Sequence, residues 1–198
     1  MTSAKWPPNL QHGPVGLRPL RVRDKESWLW LRRTNDAWLS RWEATRPTDD
    51  APVVTFRQMV KNYDAEAKAG RQLSFAVTYE ERLVGQLSVS GIMLGSARGG
   101  QIGYWVGQQW AGRGIIPTAV ALVMDHCFFE MNLHRIEINI RPENLASLRV
   151  VEKLGLRDEG VRKNYLHIAG EWADHRTFAI TKEEIVGRMI DRLGNTPT

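Results

Sequence analysis

Apolar and polar residues alternate along some stretches of the chain and recur with a helical period along others. Residues 15–22 (VGLRPLRV) alternate, which predicts a first strand. Residues 25–39 follow Asp24, a residue type that commonly caps helices, and carry apolar residues at helical spacing, which predicts a first helix. The same argument predicts a second helix over residues 55–69, ended by Gly70.

The remaining pattern predicts six strands and three helices. In order, these are two strands within residues 72–94 joined by a tight turn near Glu81, a strand over 101–107, a helix over 117–131, a strand over 134–140, a helix over 145–154, strands over 157–167 and 172–180, and a final helix over 182–193. The first of these helices is apolar on most faces, as expected for a helix packed deeply against a sheet. This order predicts a mixed α/β fold with a strand–loop–helix–strand unit at its centre.

The loop GQQWAGRG precedes the apolar helix. Gly112 and Gly114 would let the backbone approach a ligand closely, and the free N–H groups at a helix start bind anions. Pro117 fits the first helical turn, where its missing N–H matters least. The loop lacks both the lysine of a Walker loop and the spacing of a dinucleotide-binding fingerprint. The alternative to an anion site is an ordinary strand-to-helix turn.

Composition limits the class of protein. The chain has 198 residues, enough for a single domain with its own core, and its single cysteine, Cys127, excludes an intrachain disulfide framework. The net charge of +5 favours polyanions such as CoA or RNA, but the basic residues are scattered, so we expect no direct nucleic-acid recognition. Residues 1–14 lack a signal-peptide pattern and are predicted to be a flexible tail. Without a stretch of ~20 apolar residues, the sequence predicts a cytoplasmic protein that does not enter a membrane.

Four motifs occur in a fixed order: GYWVGQQWAGRG, LHRIE, RPENLASLRVVEKLG and GEWADH. In these motifs and their spacing the chain resembles the GCN5-related N-acetyltransferases (GNAT), and within them the RimJ/RimL branch of ribosomal-protein acetyltransferases. The resemblance covers nearly all of residues 15–198 and implies one GNAT domain. It implies a central mixed, mostly antiparallel, twisted sheet that is flanked by helices and splayed between the predicted fourth and fifth strands (101–107 and 134–140). It also implies acetyl-CoA as co-substrate and no metal.

The resemblance further implies which residues bind acetyl-CoA. Trp105 and Val106 would pair their backbone with the pantetheine arm and thioester, and Asn144 would bind pantetheine. The pyrophosphate loop, with the pattern Q/R-x-x-G-x-G/A, corresponds to Gln109, Gly112, Arg113, Gly114, Ile115 and Ile116. A solvent-facing side chain is the alternative for Arg113, and a plain helix N-cap is the alternative for Asn144.

Candidate catalytic residues follow from the chemistry of acetyl transfer to an amine. Glu137, an acidic residue inside an apolar strand, is a candidate general base, and a salt bridge to an arginine is the alternative. Ser147 is a candidate proton donor to the leaving thiolate, because the tyrosine that some relatives carry further along this helix is missing. Water is the alternative donor. Cys127 is predicted to be a buried structural thiol, and the histidines show no metal-binding spacing.

The acceptor is the least constrained part of the prediction. The RimJ/RimL resemblance implies the N-terminal amine of a protein, of the alanine or serine type and from the ribosome. A small amine (a polyamine, an amino acid or an aminoglycoside) and a non-catalytic acyl-CoA-binding or ribosome-associated module are the alternatives. Trp28, Trp38 and Trp42 are candidates to line a peptide site, although core packing is favoured for most of the tryptophans.

Overall fold

The computed structural model describes residues 6, 8–48 and 54–194. Within them, eight strands form one sheet: β1 (Leu10–His12), β2 (Val15–Pro19), β3 (Leu73–Tyr79), β4 (Arg82–Met93), β5 (Gly99–Val106), β6 (Arg135–Ile140), β7 (Arg157–Ile168) and β8 (Glu171–Thr181). Five α-helices flank the sheet in the described residues: α1 (Lys25–Thr34), α2 (Asp36–Leu39), α3 (Phe56–Lys68), α4 (Ile115–Asp125) and α5 (Leu145–Lys153).

The strand order in the sheet is β1-β2-β3-β4-β5-β6-β8-β7. The pairing of β5 with β6 is parallel, and the other neighbouring pairs are antiparallel. The parallel register joins only Gly99–Gln101 to Arg135–Glu137. Beyond Gln101 the two strands separate and leave a cleft in the middle of the sheet. The predicted fourth and fifth strands correspond to β5 and β6, so the predicted splayed, mostly antiparallel sheet is confirmed.

The core lies between the sheet and α4. This helix buries nearly its whole circumference, and Val120, Val123 and Met124 are fully inaccessible to solvent. The chain continues from α4 into a π-helical turn, His126–Glu130, before β6 begins. The apolar character predicted for this segment is therefore explained by packing on most of its faces, which fixes where the loop before α4 must lie.

The first predicted helix is interrupted at Asn35. The buried Asn35 side chain donates from Nδ2 to Leu31 O at 2.9 Å and accepts at Oδ1 from Gln108 N at 2.7 Å, so it links the helix end to the loop after β5. Asp24 is not the side-chain cap that the sequence predicts. Its carboxylate binds Arg18 and the backbone N–H of Arg21, because these donors outcompete the helix N–H groups.

Two predictions for the chain ends are wrong. Residues 10–12 of the predicted tail form strand β1, paired with β2, while residues 1–5 and 7 lie outside the described residues. The final helix predicted over residues 182–193 is replaced by two short 3-10 turns, Lys182–Glu184 and Met189–Leu193. Met189 is fully buried and its N–H donates to Asp125 Oδ1 at 2.7 Å, so a tertiary contact replaces the helical hydrogen bonds. Within the described residues, no helix is both long and apolar enough to cross a membrane.

Candidate active site

A cavity of about 960 Å³ lies in the cleft where β5 and β6 separate. It extends from the glycine loop before α4, past the end of β5 and the start of α5, to the β7–β8 hairpin. Seven of the predicted CoA-binding residues line it, together with the predicted proton donor: Trp105, Val106, Gly112, Gly114, Ile115, Ile116, Asn144 and Ser147. The splay of the sheet thus brings together residues from several separate segments.

The glycine loop presents the free end of α4 to the cavity. Gly112 and Gly114 have φ angles of 79° and 74°, a region that favours glycine, and Gly114 is the N-cap. The first backbone bond of the helix runs from Thr118 N to Gly114 O at 3.1 Å, so the N–H groups of Ile115 and Ile116 precede it without intrahelical acceptors. The side chains of these isoleucines are buried and anchor the loop. The exposed amides and the positive end of the helix form a suitable site for a phosphate group.

Asn144 caps the next helix, at the opposite wall of the cavity. Its Oδ1 accepts from Ser147 N at 3.1 Å, so the capping alternative is realised. Its Nδ2 makes no hydrogen bond to any of the residues that the structure describes. Because Asn144 also lines the cavity, one side chain can hold the helix start and offer a donor to a bound amide or carbonyl.

Tyr104 lies beside Ser147 in the separated part of β5, and the sequence argument missed it. The Tyr104 ring lines the cavity, but its hydroxyl is buried without a well-formed hydrogen bond in the described structure. Burial raises the pKa of Tyr104 to about 12, and the nearby Ser147 side chain offsets this only in part. The phenol is therefore neutral at physiological pH and keeps its proton.

Aromatic side chains form the wall between β5 and α1–α2. Trp28 donates from Nε1 to Gln86 Oε1 at 2.9 Å and packs edge-on against Trp105, with the ring centroids 6.3 Å apart. Trp38 donates from Nε1 to Val106 O at 3.1 Å, so it holds the end of β5 in place. Trp38 and Trp42 line the cavity and Trp28 packs behind it, so a role in a peptide site stays a prediction for Trp38 and Trp42.

The segment after Trp42 closes the far end of the cavity. Ala44 forms an isolated bridge with Ile168, and Thr45 N donates to His167 O at 2.8 Å. This contact joins the helical side of the sheet to the β7–β8 hairpin. The lining at this end combines apolar side chains with a few polar ones: Leu39, Trp42, Ala44, Leu166, Ile168, Asn139 and His175.

Glu137 lies outside the cavity lining. Its Oε1 accepts from Arg135 and its Oε2 accepts from Arg162, at 2.8 Å and 2.9 Å, and Arg135 also binds Glu159. Both carboxylate oxygens are therefore occupied by guanidinium groups. This geometry contradicts the prediction that Glu137 is the general base and agrees with the ion-pair alternative, because Glu137 lies where β6 still pairs with β5, before the cleft opens, and arginines occupy its carboxylate there.

Two of the predicted pyrophosphate ligands also lie outside the lining. Gln109 is exposed, and the Arg113 guanidinium lies over the Trp110 ring, 5.1 Å from its centroid. Neither side chain is part of the cavity, so the loop offers its backbone to a ligand. Cys127 is fully buried, and burial raises the pKa of its thiol to about 12, which confirms the prediction of a structural thiol.

His175 is a second cavity residue that the sequence argument did not select. His175 is the last residue of the GEWADH motif, but only the tertiary structure shows that its imidazole lines the cavity. Burial lowers the pKa of His175, partly offset by its hydrogen bond to Ala173 O. Among the described residues, no group of three or more histidine, cysteine, aspartate or glutamate side chains has a metal-binding arrangement.

Comparisons with known proteins agree with this architecture. A family model described as an acetyltransferase (GNAT) domain matches residues 15–157. The chain is 34% identical over 168 residues to "Probable N-acetyltransferase YjcK" of Bacillus subtilis, which covers 84% of this chain and 93% of that protein. It is 27% identical over 164 residues to the ribosomal protein uS5-alanine N-acetyltransferase of Escherichia coli, which covers 81% of this chain and 84% of that protein.

A solved structure extends the likeness to the whole fold. Mycobacterium smegmatis RimJ, in complex with CoA-disulfide, superposes with a TM-score of 0.89 at 38% sequence identity. The match covers 96% of this chain and 94% of that one. The family match spans well over half of the chain, and the sheet splays where the resemblance requires. The chain belongs to the GNAT family of acetyltransferases.

Proposed function

We infer that this enzyme transfers the acetyl group of acetyl-CoA to the N-terminal amine of a protein, and that a ribosomal protein beginning with alanine or serine is the acceptor. The observation that carries this proposal is the full-length likeness to RimJ with CoA bound, combined with a cavity that connects the glycine loop to an open acceptor end. The name of the Escherichia coli relative supports the choice of a ribosomal-protein acceptor.

The residues present fit acetyl-CoA along the length of the cavity. The N–H groups at the start of α4 and the glycine loop suit the pyrophosphate, because they are free donors at the positive end of a helix dipole. We assign Asn144 Nδ2 as a donor to the pantetheine arm, and the separated edge of β5 at Trp105 and Val106 as the partner of its amide groups. This arrangement fits a CoA thioester better than a free nucleotide, because the polar contacts extend well beyond the phosphate site.

Acetyl transfer to an amine needs no nucleophile from the enzyme. Fixing the amine and thioester together in one cavity can supply ~7–11 kcal/mol of the barrier in favourable cases. The enzyme must also accept the proton that the nitrogen loses and help the sulfur leave as a thiolate. Ser147 at the start of α5 is the hydroxyl that we propose as donor to that sulfur.

The apolar wall and the paired carboxylates at the acceptor end favour a peptide over a polyamine. Trp42, Leu166 and Ile168 form an apolar wall there, and the described carboxylates of the lining, Glu43 and Glu143, both pair with arginines. A polyamine would require unpaired carboxylates to bind its several positive charges. An N-terminal peptide brings one ammonium group and an extended backbone, which this wall can accommodate.

The test is the release of free CoA with different acceptors at equal concentration: peptides beginning with alanine and with serine, an N-terminally blocked alanine peptide, spermidine and an aminoglycoside. We expect turnover with the free peptides, a mass gain of one acetyl group at the α-amine, and no turnover with the blocked peptide. Preferential turnover of spermidine or the aminoglycoside would replace the protein acceptor by a small amine. CoA binding without turnover of any amine would indicate a non-catalytic module.

A further inference from the structure

We propose that His175 is the base that accepts the proton from the acceptor amine during acetyl transfer. This inference rests on the proposed function and assigns a role within the same cavity. It replaces Glu137, whose two carboxylate oxygens bind arginines outside the cavity.

The position of His175 places it at the acceptor end of the cleft. It lies in β8 next to Arg176, which pairs with Ile140 at the end of β6, just before the loop that leads to Asn144. The residue is 3% exposed and lines the cavity with Asn139 and Leu166. A group here faces the space between the pantetheine-binding loop and the apolar acceptor wall.

The hydrogen bond of the imidazole fixes its tautomer. His175 Nδ1 lies 2.9 Å from Ala173 O, and a carbonyl oxygen can only accept, so Nδ1 carries the proton. The neutral ring therefore has its lone pair on Nε2. That nitrogen makes no hydrogen bond to any residue in the described part of the chain. The ring is held in one orientation with a free proton acceptor.

The charged groups around His175 leave the imidazole neutral. Burial is the main influence on its pKa and lowers it, while Arg141 acts in the same direction and Glu143 and Asp174 oppose it. The Tyr165 ring packs edge-on against the imidazole, with centroids 6.0 Å apart. The nearby carboxylates are engaged elsewhere, since Glu143 binds Arg141 and Asp174 binds Lys163. Near neutral pH the base is thus already in its active, unprotonated form.

The proton balance of the reaction suits a base of this strength. The neutral amine attacks the thioester carbonyl, a C–N bond forms, and the attached nitrogen becomes positively charged and far more acidic than the free ammonium. His175 Nε2 takes that proton as the C–S bond breaks, and the thiolate takes a proton from solvent or from Ser147, whose hydroxyl then regains a proton from water. The imidazolium then returns its proton to water, so no further reactant is required.

The carboxylates that could compete for this role are already paired. Those that line the cavity, as far as the structure describes the chain, are Glu43, which binds Arg32, and Glu143, which binds Arg141. Glu143 is also largely exposed, with 62% of its side chain accessible to solvent. His175 is the buried cavity group whose acceptor atom is free.

The experiment compares wild type, His175→Gln and His175→Ala with the alanine-starting peptide. We expect His175→Gln to lower kcat/KM by about 10²–10⁴-fold near neutral pH, as removal of a general base typically does, with CoA affinity retained. In a plot of kcat/KM against pH, the acidic side of the wild-type curve should reflect deprotonation of both the amine and His175. The curve of His175→Gln should reflect deprotonation of the amine alone. Added imidazole should restore part of the activity of His175→Ala.

His126→Gln is the matched control. His126 is also buried, and burial also lowers its pKa, but it lies in the π-helical turn after α4 and away from the cavity lining. It should keep the wild-type pH–rate profile. Equal kcat/KM for wild type and His175→Gln would overturn the role of His175. The role would also be overturned if imidazole failed to restore the activity of His175→Ala and the loss of activity paralleled a loss of CoA affinity. A wild type that acetylates no amine would instead overturn the proposed function itself.

Discussion

Three cavity residues carry polar atoms that are not satisfied within the described structure: Asn144 Nδ2, Tyr104 Oη and His175 Nε2. Tyr104 Oη is the fully buried atom of the three, and buried polar atoms in folded proteins are nearly always hydrogen-bonded, so it requires an explanation. All three residues line one cleft, and a substrate bound there would supply partners for these atoms. At this scale the site is recognised by its unused donors and acceptors and not by its charges.

Asn144 allows its two roles to be separated by substitution. Asn144→Asp keeps an oxygen that can accept from Ser147 N but removes the Nδ2 donor, whereas Asn144→Ala removes both. We expect Asp to retain the melting temperature and weaken CoA binding by about 1–3 kcal/mol, since a ligand acceptor loses its partner. Ala should show the same loss of affinity and, in addition, ~1 kcal/mol lower stability.

Calorimetric CoA titration and thermal unfolding of both variants measure these effects. If Asn144→Asp binds CoA as tightly as wild type while Asn144→Ala only melts earlier, the residue is a helix cap without a role in binding.

At the scale of elements, the functional unit is the β5–loop–α4 segment. α4 is held by burial on nearly all faces, so the direction of its dipole and the position of its first N–H groups are fixed by the core. The loop reaches this helix through two glycines with positive φ, and an ideal Cβ at either would meet no atom within 4 Å. A side chain there would project into open space, which the pyrophosphate of CoA would occupy under the proposed function.

Gly112→Ala tests this use of the loop, with Gly13→Ala as control. Both glycines have positive φ (79° and 54°) and free space for a Cβ, but Gly13 lies in the β1–β2 turn. Both variants should lose a similar, small stability of roughly 1–2 kcal/mol, the cost of a left-handed non-glycine residue. Only Gly112→Ala should also weaken CoA binding, by about tenfold or more, which corresponds to ~1.4 kcal/mol.

Differential scanning fluorimetry and CoA titration of the two variants provide the comparison. Equal CoA affinities for Gly112→Ala and Gly13→Ala, in folded proteins, would show that the backbone of Gly112 does not approach the ligand.

At the scale of the whole molecule, two buried histidines link stability to pH. Burial lowers the pKa of both His126 and His175 below the ordinary value of 6.5, and weaker contributions from nearby carboxylates oppose it. The unfolded chain therefore binds protons more readily than the folded chain, so stability is complete above pH 6.5 and is lost as the pH falls below it. Burial raises the pKa of Asp125 above its ordinary 3.8, so the folded chain binds this proton more readily, and the contribution of Asp125 to stability increases as the pH falls towards 3.8.

The expected result is a melting temperature that is constant above pH 7 and declines between about pH 6.5 and 5. His126→Gln should make this decline shallower. Thermal unfolding across this range at constant ionic strength tests it, and a slope that is identical in wild type and His126→Gln would mean that His126 does not contribute.

The sequence by itself determined the features that depend on local patterns. The alternation of strand residues, the apolar run of α4 and the glycines before it are local properties. They predicted most of the element order and a loop whose role in CoA binding stays a prediction. The motif order predicted the family and the splayed sheet. In contrast, the final helix was wrong because the buried contact of Met189 with Asp125 outweighs a helical period that is weak over so few residues.

Only the tertiary structure decided which side chains face the cleft. Glu137 and His175 lie on the same face of the sheet, but Glu137 sits where β5 and β6 still pair and binds arginines, whereas His175 lies further along, where the strands have separated, and lines the cavity. The free atoms of Asn144, Tyr104 and His175 likewise became visible only once every neighbouring donor and acceptor had a position. A sequence specifies which chemical groups are available, but their distances, burial and partners arise from long-range packing, and these determine which of the groups can act on a substrate.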